Sequence, residues 1–219
     1  RKEPMHSPQH CALFAEAAAM GGATGVRIDG LENIKEVRAT VRLPIIGCIR
    51  ARYADDLPLS TAGIEEAEQL ARAGVDVIAI DGTARPRPST TFDGLGMIAE
   101  VRRRLPSATI LADVSTFEEA IRAIDRGANA VSTVLFGRTP ETFIEGGDPL
   151  QQNRLVALIA SATDSPVLAE GFVFTAEEAM GAIESGAYAV IVGAAITRPR
   201  IITQLFGTAV DDALKATVS

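Results

Sequence analysis

A unit that recurs four times constrains the fold of this chain more than any other feature: a glycine that ends a helix, followed at once by a short run rich in Val and Ile. The four copies occupy residues 22–29, 74–81, 127–135 and 186–193. Three further apolar runs lie at 43–50, 108–114 and 165–171. Glycine adopts the left-handed backbone that commonly ends a helix, and continuous apolar runs are typical of parallel strands buried on both faces. The pattern therefore predicts seven parallel strands.

Eight helical segments alternate with these strands, and the first of them precedes the first strand. They are predicted at 8–20, 31–38, 62–73, 95–104, 116–126, 150–162, 175–185 and 199–213. Ser7 and Pro8 form a good N-cap and first-turn proline, and Thr175 with Glu178 forms a capping box. A doubly wound sheet tolerates this order. An α/β fold of the (β/α)8 TIM-barrel type explains it better, with the first strand upstream of residue 1.

Composition and charge narrow the class of protein. The chain has 219 residues, of which 47% are hydrophobic and 5% aromatic, and its net charge is −7. No linker divides it, so we expect residues 1–219 to form a single (β/α)8 barrel domain. The negative charge argues against nucleic acid and acidic membranes as partners, and no apolar run approaches the ~20 residues of a membrane span. Cys11 and Cys48 are expected to be reduced in a cytoplasmic protein, with Cys48 as a core residue.

Charged side chains stand at the ends of most predicted strands. They are Arg27, Asp29, Arg50, Asp81, Asp113 and Glu170, whereas the 127–135 strand has an apolar end near Leu135 and the last strand ends at Gly193. Residues two positions earlier on these strands share the same face and are mostly small or apolar. Because active sites of (β/α)8 barrels lie at the C-terminal ends of the strands, the charges predict one site above a packed interior.

Small residues after the last two strands predict an anion site. Gly171 follows one strand, and Gly193 with Ala194 follows the next, so backbone N–H groups there are accessible to a phosphate. Arg198 lies nearby in sequence and would add positive charge. Tight strand–helix turns alone would also explain the glycines.

Two further signals are weaker. Arg85 and Arg87 lie in the segment that follows Asp81, where they either clamp an anion or are solvated. His6 and His10 have helical spacing but no evident third ligand, so no metal site is predicted.

Six segments form a pattern that runs in register along the chain. They are 26–30 with 43–47, 81 with 85–88, 112–116, 169–171 and 192–198. Together they resemble the N-acetylmannosamine-6-phosphate 2-epimerase family, over a stretch from about Glu3 to the C-terminus. The resemblance implies a barrel that begins with a strand ahead of Glu3. It also implies an isomerase of amino-sugar metabolism and sialic-acid catabolism, which interconverts N-acetylmannosamine 6-phosphate and N-acetylglucosamine 6-phosphate without a redox cofactor. The partner would be a phosphorylated amino sugar, and a homodimer is one option for assembly.

The resemblance also implies roles for residues. Inverting C2 of the open-chain sugar needs one group that removes a proton and another that returns one to the opposite face. Glu170 matches one of this pair, and Arg50 stands where the family has the other, a lysine. Because a guanidinium stays charged, Arg50 is expected to stabilise an enolate, with Asp113 taking part in proton exchange. The residues expected to bind the substrate and its phosphate are Arg27, Asp81, Gly171, Gly193, Ala194 and Arg198.

Other positions near the predicted site, at the mouth of the barrel where the strands end, also depart from the family pattern. Phe136 and Arg138 replace a serine and a tyrosine, Phe172 replaces a basic residue, and Ala194 replaces a serine. Arg50, Phe136 and Phe172 motivate an alternative, a non-catalytic homologue that binds a phosphorylated sugar. A third alternative is a different barrel chemistry, such as an aldolase or a ketose–aldose isomerase. A Schiff-base aldolase needs a lysine at a strand end, and the lysines of this chain lie elsewhere.

Overall fold

The computed structural model describes residues 3–52, 58–87, 92–144 and 147–218, and helices alternate with strands along most of this length. In chain order the elements are α1 (Pro8–Met20), β1 (Val26–Asp29), α2 (Leu31–Thr40), β2 (Ile45–Cys48), β3 (Arg50–Arg52), β4 (Pro58–Ser60), α3 (Ile64–Arg72), β5 (Val77–Asp81), α4 (Gly94–Arg104), β6 (Ile110–Asp113), α5 (Phe117–Asp125), β7 (Ala130–Ser132), α6 (Pro149–Ala162), β8 (Val167–Glu170), α7 (Ala176–Glu184), β9 (Ala189–Ile191), α8 (Ala194–Thr197) and α9 (Pro199–Val218).

Seven of these strands form one parallel sheet. Its order is β1-β2-β5-β6-β7-β8-β9, and each neighbouring pair is parallel. The order follows the chain, and helices lie between successive strands, so the sheet is nearly closed into a barrel. This arrangement confirms the predicted (β/α)8 TIM-barrel class. β1 and β9 stand at the two ends of the strand order. The strand expected upstream of residue 1 and the single-domain organisation stay predictions.

Local signals set the start and end of several helices. Gly74 and Gly127 each lie between a helix and the next strand, with φ of +73° and +102°. This left-handed backbone favours glycine, which explains the recurring unit in the sequence. Ser7 caps α1 through its side chain, and Thr175 with Glu178 forms the capping box of α7, both as predicted.

The strands are packed on both sides. Helices bury side chains such as Ile34 and Leu70 against the outer face of the sheet. A second cluster has Cys48, Ala79, Leu111 and Leu168 at its centre. Each member of this cluster lies two positions before a charged residue, as the alternation of side chains predicted. The charged residues therefore stand above an apolar plug that fills the barrel.

β7 ends earlier than the sequence predicted. The strand expected to run to Leu135 stops at Ser132, because the chain turns there: the Phe136 N–H donates to the Thr133 carbonyl, and the Arg138 N–H donates to the Leu135 carbonyl. The predicted apolar strand end near Leu135 is therefore wrong. Ser132, a polar residue, occupies the end of this strand.

The ends of two other strands also differ from the prediction. β2 stops at Cys48, and Arg50 opens a short antiparallel hairpin in which it pairs with Ser60. β9 stops at Ile191, and the single turn of α8 follows it.

The last helix, α9, runs to Val218, five residues beyond its predicted end at 213. Among the residues that the structure describes, no helix is long and apolar enough to cross a membrane.

Candidate active site

Arg27 connects two carboxylates at the mouth of the barrel. Its Nη1 donates to Oδ1 of Asp113 at 2.9 Å and to Oε2 of Glu170 at 2.5 Å, and its Nη2 donates to Oδ2 of Asp113 at 2.5 Å. The side chains of Arg27 and Asp113 are 5% and 0% exposed, whereas that of Glu170 keeps 12%. The structure thus brings together three residues that the sequence analysis assigned to one mouth. Of the two carboxylates bound to Arg27, Glu170 is the one that keeps some exposed surface.

Three polar side chains that the sequence analysis missed hold Glu170 in place. Ser132 donates its hydroxyl to Oε2 of Glu170 at 3.0 Å. The hydroxyl of Thr133 accepts the backbone N–H of Glu170 at 3.2 Å. Gln152, a buried residue of α6, donates its amide to the Glu170 carbonyl and, at 2.9 Å, to the Thr133 hydroxyl. Both the backbone and the carboxylate of Glu170 are therefore fixed by neighbours.

Burial and the neighbouring charges shift the pKa of Glu170. Burial raises the pKa of the Glu170 carboxyl above its ordinary value; the positive charge of Arg27 opposes that rise, and the negative charge of Asp113 adds to it. Burial alone would lower the pKa of Arg27, but Asp113 and Glu170 raise it well above the usual range. One permanent cation therefore faces two carboxylates. Glu170 is set to exchange a proton closer to neutral pH than an isolated glutamate would.

Cys48 lies below this cluster in the apolar plug. Its side chain is buried, and burial raises the pKa of its thiol to about 11, although the charge of Arg27 opposes the rise. The thiol is therefore neutral at physiological pH, and Cys48 is the core residue that the sequence predicted. In the described part of the chain, the buried Nε of Arg27 has no hydrogen-bond acceptor, so its Nη groups make the contacts that hold the guanidinium.

Asp81 lies beside Asp113 in the sheet, but its carboxylate is occupied by its own loop. Thr83 donates its backbone N–H and its hydroxyl to Oδ1 of Asp81 at 3.0 and 2.6 Å. Arg85 forms an ion pair with Oδ2, and Arg87 lies 3.4 Å from Oδ1. Both arginines are buried or nearly so and turn back onto Asp81, so neither is a solvated surface residue. The contacts form a rigid loop at this side of the mouth.

Asp29 positions the backbone of Arg50. Its Oδ1 accepts the Arg50 N–H at 2.9 Å, which ties the start of the β3–β4 hairpin to the end of β1. Arg50 is exposed, and its charge contributes to the electrostatic environment of Glu170. Within the described ranges, no carboxylate lies within ion-pair distance of its guanidinium. Arg50 is therefore an exposed cation whose charge acts on Glu170.

The turns after β8 and β9 carry the residues predicted to bind an anion. Gly171 follows Glu170 directly, with φ of +101°, and Gly193 and Ala194 form the start of α8. The single helical turn of α8 leads to Arg198, which is exposed. These residues follow two neighbouring strands, in which Glu170 pairs with Ile191. The arrangement places small residues and a cation where anions commonly bind in such barrels.

The fold and these residues together define a (β/α)8-barrel enzyme, because the polar groups converge at the C-terminal ends of the strands. Residues 11–212 match the sequence profile of the NanE family, described as "Putative N-acetylmannosamine-6-phosphate epimerase". This chain therefore belongs to the NanE family, a family of carbohydrate epimerases, as the resemblance indicated.

Two relatives and one solved structure agree with this family. A "Putative N-acetylmannosamine-6-phosphate 2-epimerase" of Caldanaerobacter subterraneus subsp. tengcongensis is 40% identical over 209 residues, which cover 94% of this chain and 85% of that protein. A protein with the same description from Clostridioides difficile is 38% identical, over 95% of this chain and 91% of its own. The structure of the N-acetylmannosamine-6-phosphate 2-epimerase from Clostridium perfringens superposes with a TM-score of 0.86 and 33% identity, over 95% of this chain and 88% of that one.

Proposed function

We propose that this chain interconverts N-acetylmannosamine 6-phosphate and N-acetylglucosamine 6-phosphate by exchanging the proton on C2 of the sugar. Two findings support the proposal: the chain belongs to the NanE family, and it keeps a reachable, hydrogen-bonded glutamate at the mouth of the barrel. The ion pair between Glu170 and Arg27 is the observation on which the proposed proton exchange rests.

Glu170 is the group that exchanges the proton. In the open-chain sugar the C1 aldehyde makes the C2 hydrogen acidic, so a carboxylate can remove it and leave an enolate. General acid–base catalysis works best when the pKa of the group lies near the operating pH. The raised pKa of Glu170 moves it in that direction. Its contacts to Arg27 and Ser132 keep one oxygen fixed while the carboxylate meets the substrate.

Arg50 stabilises the enolate and does not act as a base. Its guanidinium stays charged in proteins, so it cannot accept the C2 proton. A fixed positive charge beside a developing enolate oxygen is worth about 10²–10³ in rate in comparable sites. Arg50 has no carboxylate partner in the part of the chain that the structure describes, which leaves its charge for the substrate.

Asp113 has two candidate roles. As the second carboxylate of the site, it is the candidate for proton exchange on the opposite face of C2. Both of its oxygens are bound to Arg27 and its side chain is fully buried, so Arg27 would have to release it for that role. In the other role, Asp113 orients Arg27 and keeps the pKa of Glu170 high. The pH profile of a substituted protein separates the two.

The phosphate of the substrate binds beyond Glu170, at the turns after β8 and β9. Backbone N–H groups near Gly171, Gly193 and Ala194, with the charge of Arg198, supply the anion contacts. Arg27 and Asp81, which the sequence analysis also assigned to substrate binding, act by holding the mouth in shape, since their charged groups are taken by other residues.

The chain assembles as a homodimer through α9. This helix is exposed over most of its length and carries four large apolar side chains that are at least half exposed: Leu205, Phe206, Val210 and Leu214. An exposed apolar helical face can be covered by another part of the protein or by a second copy of the chain, and we propose the second copy, which would offer the same face to it.

The proposed reaction is tested by incubating the purified protein with each sugar phosphate in D2O and recording proton NMR spectra. We expect the C2 proton signal to disappear while both epimers accumulate, because deuterium replaces the proton during each inversion. Unphosphorylated N-acetylmannosamine serves as the control and should react far more slowly. Tight binding of the sugar phosphate without any loss of the C2 proton would overturn the proposal and favour a non-catalytic binding protein.

A further inference from the structure

Arg138 stacks on the ring of Phe172 at the edge of the mouth. The centre of its guanidinium lies 5.3 Å from the ring centroid, within the range of a cation–π contact. We propose that Arg138 is a ligand of the substrate's phosphate group, acting with the turn at Gly171. This inference rests on the proposed function, and nothing in the family pattern assigns such a role to this position, which is a tyrosine there.

The loop that carries Arg138 is held on both sides. The Gly137 N–H donates to the Thr142 hydroxyl at 3.0 Å. Thr139 is buried, and its hydroxyl contacts those of Thr142 and Ser115 at 2.9 and 3.2 Å. Arg138 lies between these two anchored residues. These contacts fix the backbone around Arg138, and the stack on Phe172 holds its guanidinium, which lowers the entropy lost when a ligand is bound.

Phe172, on which Arg138 stacks, is also held in one conformation. Its backbone has φ of +53°, a conformation that non-glycine residues rarely adopt. Its ring packs over Gly137 and Gly147, where a side chain at Gly147 would overlap the ring. Strained backbone of this kind is concentrated at functional sites, where surrounding structure maintains it. Here that structure aligns the ring beneath Arg138.

Arg138 is an unpaired cation at the point where the anion is expected. Among the described residues, no carboxylate lies within ion-pair distance of its guanidinium. One of its terminal nitrogens, Nη2, lies 3.6 Å from the position that a Cβ on Gly171 would occupy. Partial desolvation lowers the pKa of Arg138; the negative charge of Glu170 opposes that fall, and the positive charges of Arg50 and Arg198 add to it. Arg50 and Arg198 thus lie near enough to Arg138 for their charges to act on it, and a phosphate bound beside Arg138 would reduce this repulsion.

The chemistry of the side chain fits a phosphate. A guanidinium offers a planar fork of donors that binds phosphate oxygens in pairs. Arg27 cannot serve in this way, because its two terminal nitrogens are bound to Asp113 and Glu170. Arg138 therefore supplies the charge that the sequence analysis had assigned to Arg27.

The test uses inorganic phosphate as a probe and two substitutions of Arg138 in the full chain. Calorimetric titration of phosphate should show the affinity falling about tenfold or more in Arg138→Met and less in Arg138→Lys, which keeps the charge but not the fork. With sugar phosphate, Arg138→Met should raise KM about tenfold with kcat nearly unchanged, because the phosphate is remote from C2. Arg122→Met, which removes an exposed arginine of α5, is the matched control and should behave as wild type. Unfolding temperatures check that each variant is folded.

The outcomes separate this inference from the proposed function. A wild-type protein that binds phosphate through Arg138 but does not exchange the C2 proton would overturn the function and leave the inference standing. An active enzyme whose KM and phosphate affinity are unchanged in a folded Arg138→Met variant would overturn the inference and leave the function standing. A fall in kcat alone would also overturn it, since that result places Arg138 at the reacting carbon.

Discussion

Arg27 on β1 and Glu170 on β8 form an ion pair with a separation of 2.5 Å, although 143 positions separate them in the sequence. β1 is one end of the strand order and β8 is next to the other end, so the pair joins the two sides of the sheet at its mouth. The same guanidinium also binds Asp113 with both terminal nitrogens. This arginine therefore helps to fix the position of the Glu170 carboxylate and opposes the rise in its pKa that burial causes.

The effect of Asp113 on the pKa of Glu170 predicts how the pH dependence of kcat/KM changes when Asp113 is replaced. If Glu170 acts as the base it must be ionised, so kcat/KM falls as the pH drops through its raised pKa. Replacing Asp113 by Asn removes a negative charge that raises this pKa. We expect the acidic limb of the kcat/KM profile to move to lower pH in Asp113→Asn, with conversion between the two epimers retained. Exchange of the C2 proton in one epimer without conversion to the other would instead identify Asp113 as the second proton carrier.

Gln152 is predicted to act as a positioning residue for Glu170. In Gln152→Leu the Glu170 carbonyl and the Thr133 hydroxyl lose a buried donor, so the strand end that carries the carboxylate is less well fixed. We expect kcat to fall about tenfold with little change in KM, since misplacing a catalytic group mainly affects the chemical step. Gln151→Leu, the exposed neighbour on the same helix, is the control and should leave kcat unchanged. Equal effects of the two substitutions would contradict the assignment.

We predict that the positive charge of Arg50 matters more for the rate of C2 exchange than the shape of its guanidinium. Arg50→Met removes the cation that stabilises the enolate and should lower kcat by roughly 10²-fold. Arg50→Lys keeps a positive charge and adds a group that can release a proton when its pKa is lowered, so its rate of C2 exchange should match or exceed that of wild type. Both rates are measured by NMR in D2O. If Arg50→Met exchanges as fast as wild type, Arg50 has no part in the reaction.

The exposed face of α9 is predicted to hold two copies together. Phe206→Asp places a charge in the middle of the apolar face, where burial in an interface would be costly, so the protein should become monomeric. Sedimentation velocity measures the mass of each species. Phe143→Asp, at another exposed phenylalanine outside α9, should leave the assembly as in wild type. A monomeric wild-type protein would contradict the proposed homodimer.

The fold could be predicted from the sequence because its signals are local. Each copy of the repeated unit contains its own helix-ending glycine and its own apolar strand, so no distant contact was needed to recognise it. The positions of Arg27, Asp113 and Glu170 followed from the geometry of parallel strands, which end at the same edge.

The support around Glu170 could not be predicted in the same way. Ser132 was missed because the apolar residues after it extended the strand pattern to Leu135, whereas turn hydrogen bonds end the strand earlier. The role of Gln152 depends on how α6 packs against β8, which the local sequence does not encode. For Arg85 and Arg87 the sequence left two alternatives, an anion clamp or solvated side chains. It could not decide between them because the contact of these arginines with Asp81 depends on the path of one loop.

The central claim, that Glu170 exchanges the C2 proton, is tested most directly by substituting that residue alone. Wild type, Glu170→Gln and the control Glu177→Gln, at an exposed position of α7, are incubated with N-acetylmannosamine 6-phosphate in D2O, and the C2 signal is followed by NMR. We predict that Glu170→Gln, while still folded, loses the C2 proton about 10²–10⁴ times more slowly than wild type, whereas Glu177→Gln reacts normally. Exchange at the wild-type rate in Glu170→Gln would contradict the account.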